Sequence, residues 1–363
     1  AARAARGAAG ALPDPKAEIG VDSFPVSGPL AFEPRRDDFT MLRFGVSQDI
    51  PNLAKRHAAQ ARADAGIGVA DADSRVEARQ VEINTALAWI TLAYAQRRLE
   101  VLDRILADLE QVVKATPKAV AAGSARPAQT LAGEQALGVL RDRRAELVSQ
   151  VARAKAELSR WTGDLAPETS GPMPDLAIDP ARLRAGLDAN PAIRLIDARQ
   201  RVVDADVRSA DANRRSDFGV NLAYQRRDPR FGDYVSAGVT VSLPFFTRRR
   251  QNADIGAAQA KAGQVAADRE AARRELVAAL EADLADHAMH HEQWERARDT
   301  LQPLAAERVK LEMASYAAGR ATLVDVADAF AALADVSLTT LDREALVAAD
   351  GARLTLTYRS DDQ

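Results

Sequence analysis

Four short stretches of the chain alternate apolar and polar positions. The long stretches between them repeat apolar positions every three or four residues. Residues 16–24 set Ala17, Ile19 and Val21 against Glu18, Gly20 and Asp22. Residues 39–48 set Leu42, Phe44 and Val46 against Arg43, Gly45 and Ser47, with Pro25, Gly28, Pro29 and Pro34 in between. Period-two alternation bounded by turn residues predicts a hairpin of half-exposed strands. A second pair follows at 217–227 and 234–243, turning through Asp228-Pro229-Arg230-Phe231-Gly232-Asp233. There Phe218, Val220, Leu222 and Tyr224, then Val235, Ala237, Val239, Val241 and Leu243, make one wholly apolar face. The opposite face is small or polar.

The helical pattern is strongest at 52–116, where Ile83, Leu87, Ile90, Tyr94, Leu99, Leu102, Ile105, Leu106 and Leu109 recur at helical steps. About 65 residues at 1.5 Å each predict a coiled-coil-like helix of roughly 95 Å. Pro117 and Gly123 are read as its end, and Pro127 as the start of a helix over 127–161. Further helices are predicted at 180–187, 191–215, 247–315 and 322–357.

The second half repeats the first. Val120-Ala121-Ala122-Gly123 corresponds to Tyr316-Ala317-Ala318-Gly319 at an offset of 196 residues (316 minus 120). Val113-Lys114 and Val309-Lys310 share that offset, as do Leu158 and Leu354. The strand ends Gly45-Val46-Ser47-Gln48-Asp49-Ile50-Pro51 and Gly238-Val239-Thr240-Val241-Ser242-Leu243-Pro244 match at nearly the same one. A duplicated strand–strand–helix–helix unit is predicted. The first repeat spans 1–163, a Pro-rich connector 164–180, the second repeat 181–358 and a tail 359–363. The fold class is mainly α with short β strands. Before the strands the first repeat holds only residues 1–12, against 180–215 in the second. The chain also opens on Ala1-Ala2-Arg3 without Met. Both features are read as a processed or truncated N-terminus, with about a helix pair and any anchor missing.

Strands of nine or ten residues suffice to cross a bilayer when tilted. Four strands cannot close a barrel and leave two open edges; three copies give twelve strands, which can. Two ordinary hairpins packed on soluble helices satisfy the same periodicity. Aromatic residues are only 5% of the 363, which suits close-packed helices better than a large globular core. The net charge of −3 gives no electrostatic reason to expect nucleic acid. There is no cysteine, which excludes disulfides and thiolate metal sites. No apolar run reaches the length of a transmembrane helix.

Asp325 and Asp328 lie three apart on one predicted helix face. Alone, they are compatible with two ordinary acids near a helix start. Gly123 and Gly319 lie where hairpin tips turn. His287 and His291 have the i, i+4 spacing of a divalent-ion chelate, beside His290 and Met289. They sit mid-helix among charged residues, without a zincin pattern, so a solvated helix face is the stronger reading. Arg248-Arg249-Arg250 follows the last strand directly, where a solvated helix start and a membrane-edge contact are both open. No catalytic constellation appears, and the chain reads as no enzyme and as needing no cofactor.

From Ala11 to Tyr358 the chain resembles the TolC family of outer-membrane efflux proteins. The resemblance rests on the strand ends Gln48-Asp49-Ile50-Pro51 and Leu243-Pro244-Phe245-Phe246. It rests also on the turn and helix running from Tyr316 through Gly319, Arg320, Thr322 and Asp325 to Asp328. It implies a homotrimer with a shared twelve-stranded barrel in the Gram-negative outer membrane and a helical tunnel in the periplasm. A periplasmic adaptor and an inner-membrane RND pump are the implied partners, with outer-membrane lipid around the barrel. Residues 89–99 and the Ser47–Pro51 strand end resemble most the heavy-metal, CzcC/CusC-like branch. The implied role is a passive exit duct for heavy-metal cations or small toxic compounds; the alternative is a soluble periplasmic coiled-coil adaptor.

Residue by residue, the resemblance makes Asp325 and Asp328 the acidic ring of a gate and selectivity filter, where crowded like charges raise some pKa values. It makes Tyr316 a gate contact whose expected acidic partner aligns with Gln129. The neighbouring threonine position holds Ala128, and the expected arginine position holds Ala321 with Arg320 one place off. Gln129 accepts from Tyr316 without charge assistance, so a gate held mainly by packing, or one less tightly shut, is expected. Residues 120–127 and 316–323, including Gly123, Arg126, Gly319 and Thr322, become the adaptor-docking tips.

Overall fold

The structure, a computed structural model, describes residues 1–121, 127–170, 178–245, 247 and 250–360, without side chains at 116–121 and 127–130. The elements in chain order are α1 (Ala2–Ala8), β1 (Lys16–Asp22), β2 (Met41–Ile50), α2 (Leu53–Ala121), α3 (Pro127–Thr162) and α4 (Pro180–Gly186). A 3-10 turn, Leu187–Ala189, leads into α5 (Pro191–Ala212). Then come β3 (Phe218–Arg226), β4 (Tyr234–Val241), α6 (Gln251–Arg296), a π turn (Ala297–Leu301), α7 (Gln302–Ala317) and α8 (Leu323–Tyr358).

Three boundaries differ from the sequence expectation, each for a local reason. β1 stops at Asp22 because Ser23 takes a left-handed φ of 60°, which no strand continues. α2 passes Pro117 and runs to Ala121: a proline removes one backbone donor, and here the last turn carries on without it. The single helix expected over 247–315 is divided by the π turn. Pro303 lacks the N–H that would bond to residue 299, and its ring crowds that carbonyl; the wider turn immediately before it relieves both.

Two compact units emerge, and each draws on both halves of the sequence. The first holds Ala1–Ser74 and Ala192–Ala272. Its sheet has the order β1-β2-β3-β4, antiparallel throughout. The two hairpins join through β2 and β3, from Leu42 opposite Arg226 to Ile50 opposite Phe218. This register puts every apolar residue of the alternation on one face, and that face is open: Ile19 is 78% exposed, Val235 72% and Val239 71%.

The strand ends are tied to the helices by a polar knot. The Asn52 backbone N–H and Nδ2 both donate to Asp217 Oδ1 at 2.9 Å, and Lys55 Nζ pairs with Asp217 Oδ2. Asp217 N–H donates to Ser242 Oγ at 2.8 Å. Ion pairs Arg62–Asp206 (2.5 Å) and Arg269–Asp197 (2.6 Å) hold α5 to α2 and α6.

The second unit holds Arg75–Pro191 and Arg273–Gln363. Its main core gathers Leu102, Leu109, Leu137, Leu140, Val326, Phe330 and Leu338 from α2, α3 and α8, with Val309 from α7. Leu92, Ala154 and Leu158 form a second cluster, and Leu187, Leu280, Leu354 and Tyr358 a third. Two buried tyrosines satisfy their hydroxyls on carboxylates: Tyr94 donates to Glu344 at 3.1 Å and Tyr358 to Asp283 at 2.7 Å. Where α3 meets α2 and α8, Gly133 has no side chain. A Cβ there would meet Leu323 Cδ2 at 2.8 Å and Val113 Cγ2 at 2.9 Å.

That contact gives a stability prediction. Gly133→Val overfills the space between Val113 and Leu323 and should cost about 1–3 kcal/mol, read as a lowered denaturant midpoint. Gly138→Val, where a Cβ meets nothing within 4 Å, should move it much less. Equal effects would show that Gly133 is not packed as described.

Candidate functional site

The tip of the second hairpin is built by its own backbone. α7 ends as Ala318 N–H bonds back to the Ala314 carbonyl at 3.0 Å. Gly319 follows with φ of 71°, the left-handed conformation that only glycine takes freely. Its N–H reaches the Tyr316 carbonyl at 3.0 Å, and Arg320 N–H reaches the Ser315 carbonyl at 2.8 Å. The chain then enters α8 at Thr322.

Thr322 and Asp325 form a capping box. Asp325 N–H donates to Thr322 Oγ1 at 3.3 Å, and Thr322 N–H donates to Asp325 Oδ2 at 2.7 Å. The threonine hydroxyl donates to the same carboxylate oxygen, also at 2.7 Å. These bonds favour the ionised form, so the hydroxyl of Thr322 first, then its backbone N–H, hold the Asp325 carboxyl below the usual carboxylate range. Sequence reasoning did not draw out this box, although Thr-x-x-Asp before an apolar run is its signature.

Asp325 and Asp328 are both exposed, while Leu323, Val326, Ala327, Ala329 and Phe330 between and beyond them are buried. One face of α8 therefore carries the acids and the opposite face the core. Tyr316 packs half-buried against that core, and its hydroxyl is buried with no partner among the described residues. Gln129 belongs to α3, but its side chain lies outside the described residues. Arg320 is exposed, as are Gly319 and Thr322. Gly123 and Arg126 lie outside the described residues. Near the tip the hairpins meet through an apolar contact, Leu323 of α8 against Gly133 of α3, and further along the ion pair of Arg143 with Asp335 joins the same two helices.

Two of the three histidines of α6 stand beside carboxylates. His290 Nδ1 is 2.6 Å from Asp350 Oδ2, and His291 Nδ1 is 3.7 Å from Glu295. His287 is half-buried, its Nδ1 enclosed with no partner among the described residues, and burial pushes its pKa down. The His287 and His291 rings stand 6.1 Å apart and tilted. Among the described residues no three His, Asp or Glu side chains gather in a way that would hold a metal ion. Of the arginine run, Arg250 is exposed at the start of α6, and Arg248 and Arg249 lie outside the described residues. Among the described residues no helix is long and apolar enough to cross a membrane, which says nothing about strands.

Residues 183–357 match the family of outer membrane efflux proteins. No curated protein sequence matches the chain. Among solved structures, CusC, studied for the conformational changes accompanying folding and transmembrane channel formation, superposes with a TM-score of 0.81 at 16% identity. That match covers 99% of this chain and 86% of CusC. VceC from Vibrio cholerae gives 0.75 at 16% identity over 100% and 90% of the two chains. The open state of the MtrE channel from Neisseria gonorrhoeae gives 0.76 at 14% over 100% and 85%. The second half of the chain thus matches the outer membrane efflux protein domain, and the whole chain shares the fold of these solved outer-membrane channels.

The cap makes a pH prediction. Asp325 has a folded pKa below its unfolded one, so its contribution to stability is present above the ordinary carboxylate value. That contribution is lost as pH falls through the folded value. Thr322→Val should return the Asp325 carboxyl toward the ordinary range and flatten this acid-side loss, measured by NMR titration of labelled aspartates. An Asp325 titration unchanged in the variant would contradict the box.

Proposed function

We propose that this chain is one protomer of a trimeric exit duct in which three four-stranded sheets close a twelve-stranded barrel and the paired helices form the periplasmic tunnel. One observation carries the reading. The sheet presents a continuous apolar face that nothing in the chain covers among the described residues, a polar face behind it, and two open edges. Lipid against the apolar face, water against the polar face and a neighbouring copy at each edge satisfy all three at once. A soluble adaptor has no use for such a sheet.

In this reading Asp325 and Asp328 of three copies ring the narrow end of the tunnel and favour cations. Tyr316 and Leu323 hold the hairpins together by packing, with Gln129 and Arg320 as the further gate contacts. The tips at 120–127 and 316–323 dock a periplasmic adaptor that connects the duct to an inner-membrane RND pump. The cargo is heavy-metal cations or small toxic compounds. The branch resemblance of residues 89–99 and the likeness to CusC favour the metal end of that range. The duct is passive, and energy comes from the pump.

Single-channel recording in a planar bilayer tests this. The trimer, carrying its native N-terminus, should pass a cation-selective current blocked by divalent ions. Asp325→Asn/Asp328→Asn should lower the affinity of that block by about tenfold or more, as removal of a charged ring predicts. Properly trimerised protein that neither inserts nor conducts would overturn the duct. A block unaffected by the double substitution would keep the duct and move its filter elsewhere.

A further inference from the structure

The polar face of the sheet carries its charge unevenly. Strand parity and register place Lys16, Glu18, Asp22, Arg43 and Asp49 on it, all from β1 and β2. β3 and β4 add only neutral groups there, among them Asn221, Gln225, Ser236 and Thr240. Toward one end, a hollow of about 690 Å³ is lined by Lys16, Glu18, Arg43, Asp49, Asn221 and Thr240, among others.

The two cations are held differently. Lys16 Nζ is closed onto Asp49 Oδ2 at 2.7 Å. Arg43 stands opposite Gly20, which has no side chain, and so reaches into the gap between Glu18 and Asp22. Its Nη2 is 3.9 Å from Glu18 Oε2 and its Nη1 3.9 Å from Asp22 Oδ2, both beyond hydrogen-bonding range. Its Nε is buried with no acceptor among the described residues. The guanidinium is therefore pressed to the wall, bracketed by two carboxylates but bonded to neither, and its field stays available to passing ions.

We propose that Arg43 sets the ion selectivity of the barrel segment. This rests on the exit-duct reading, in which the polar face lines the lumen. Two cations against three carboxylates leave that face at −1 per chain; without Arg43 it stands at −2, which doubles the negative charge that passing ions meet. Focusing inside a low-dielectric wall makes such a change count.

The test is the reversal potential across a salt gradient, with the trimer in a planar bilayer. An Asp325→Asn/Asp328→Asn background keeps the tip from masking the barrel. Arg43→Gln should raise the potassium-to-chloride permeability ratio by about twofold. Glu18→Gln/Asp22→Asn takes the face from −1 to +1 per chain and should lower the ratio by a larger factor, about fourfold, and Arg43→Lys should leave it nearly unchanged. The carboxylate pair reads the same balance from the other side, so the test stands even if Arg43→Gln fails to assemble. Conducting channels whose ratio ignores the Glu18/Asp22 change would overturn the inference and leave the duct standing. No conductance from the unsubstituted protein would overturn the duct and the inference with it.

Discussion

The backbone of a sheet edge must be hydrogen-bonded, and an apolar sheet face must be kept from water. This chain meets neither demand alone. Among the described residues β1 pairs only with β2 and β4 only with β3, so the outer edges of both have no strand partner there. The face bearing Ile19, Phe44, Leu222, Val235 and Val239 is exposed. In bulk water such a surface aggregates. In hydrocarbon an open edge is worse still, because no water is present to satisfy it. In the exit duct proposed above, lipid covers the apolar face and further copies pair with the two edges.

The helices solve a different problem with different residues. Long Ala-rich helices bury little per residue. The second unit therefore concentrates its stability in layers of leucine and in special positions that let backbones approach. Gly133 under Leu323 is one of them, and the π turn before Pro303 lets a proline sit where an unbroken α-helix would clash. Buried tyrosines paired with Glu344 and Asp283 add polar ties of fixed geometry. At the tip, the left-handed Gly319 and the Thr322–Asp325 box fix where α8 begins. They thereby fix which acids face outward.

Much of this was legible before any coordinates. Period-two alternation located all four strands within a few residues, because a sheet with one apolar face must alternate. The long helices were visible for the same reason at period 3.6. The exact stops were not. The end of β1 is decided by one left-handed serine, and the break in the long helix by one proline whose effect is spread over the turn before it. Neither leaves a periodic trace. At the tip, Asp325 and Asp328 were identifiable by spacing and resemblance. That Asp325 is bonded into its own helix cap was encoded in Thr322-x-x-Asp325 and needed only the capping rule. Arg43 was on the page as one polar position among many. Its meaning comes from Gly20 standing opposite, which is a fact of register and belongs to no single strand.

The claim on which everything turns is that the free edges of β1 and β4 pair with neighbouring copies. The chain has no cysteine, so any disulfide is an engineered one. Combining Ala17→Cys on β1 with Val235→Cys, Ala237→Cys or Val239→Cys on β4 samples three registers across the closing seam. Bridges form only where Cα atoms come within about 7 Å. Oxidised membranes should yield covalent dimers and trimers in at least one of the three combinations, and in non-reducing gels the ladder should stop at three. Monomer in every combination, or bridges only within a single chain, would contradict a barrel closed by three copies.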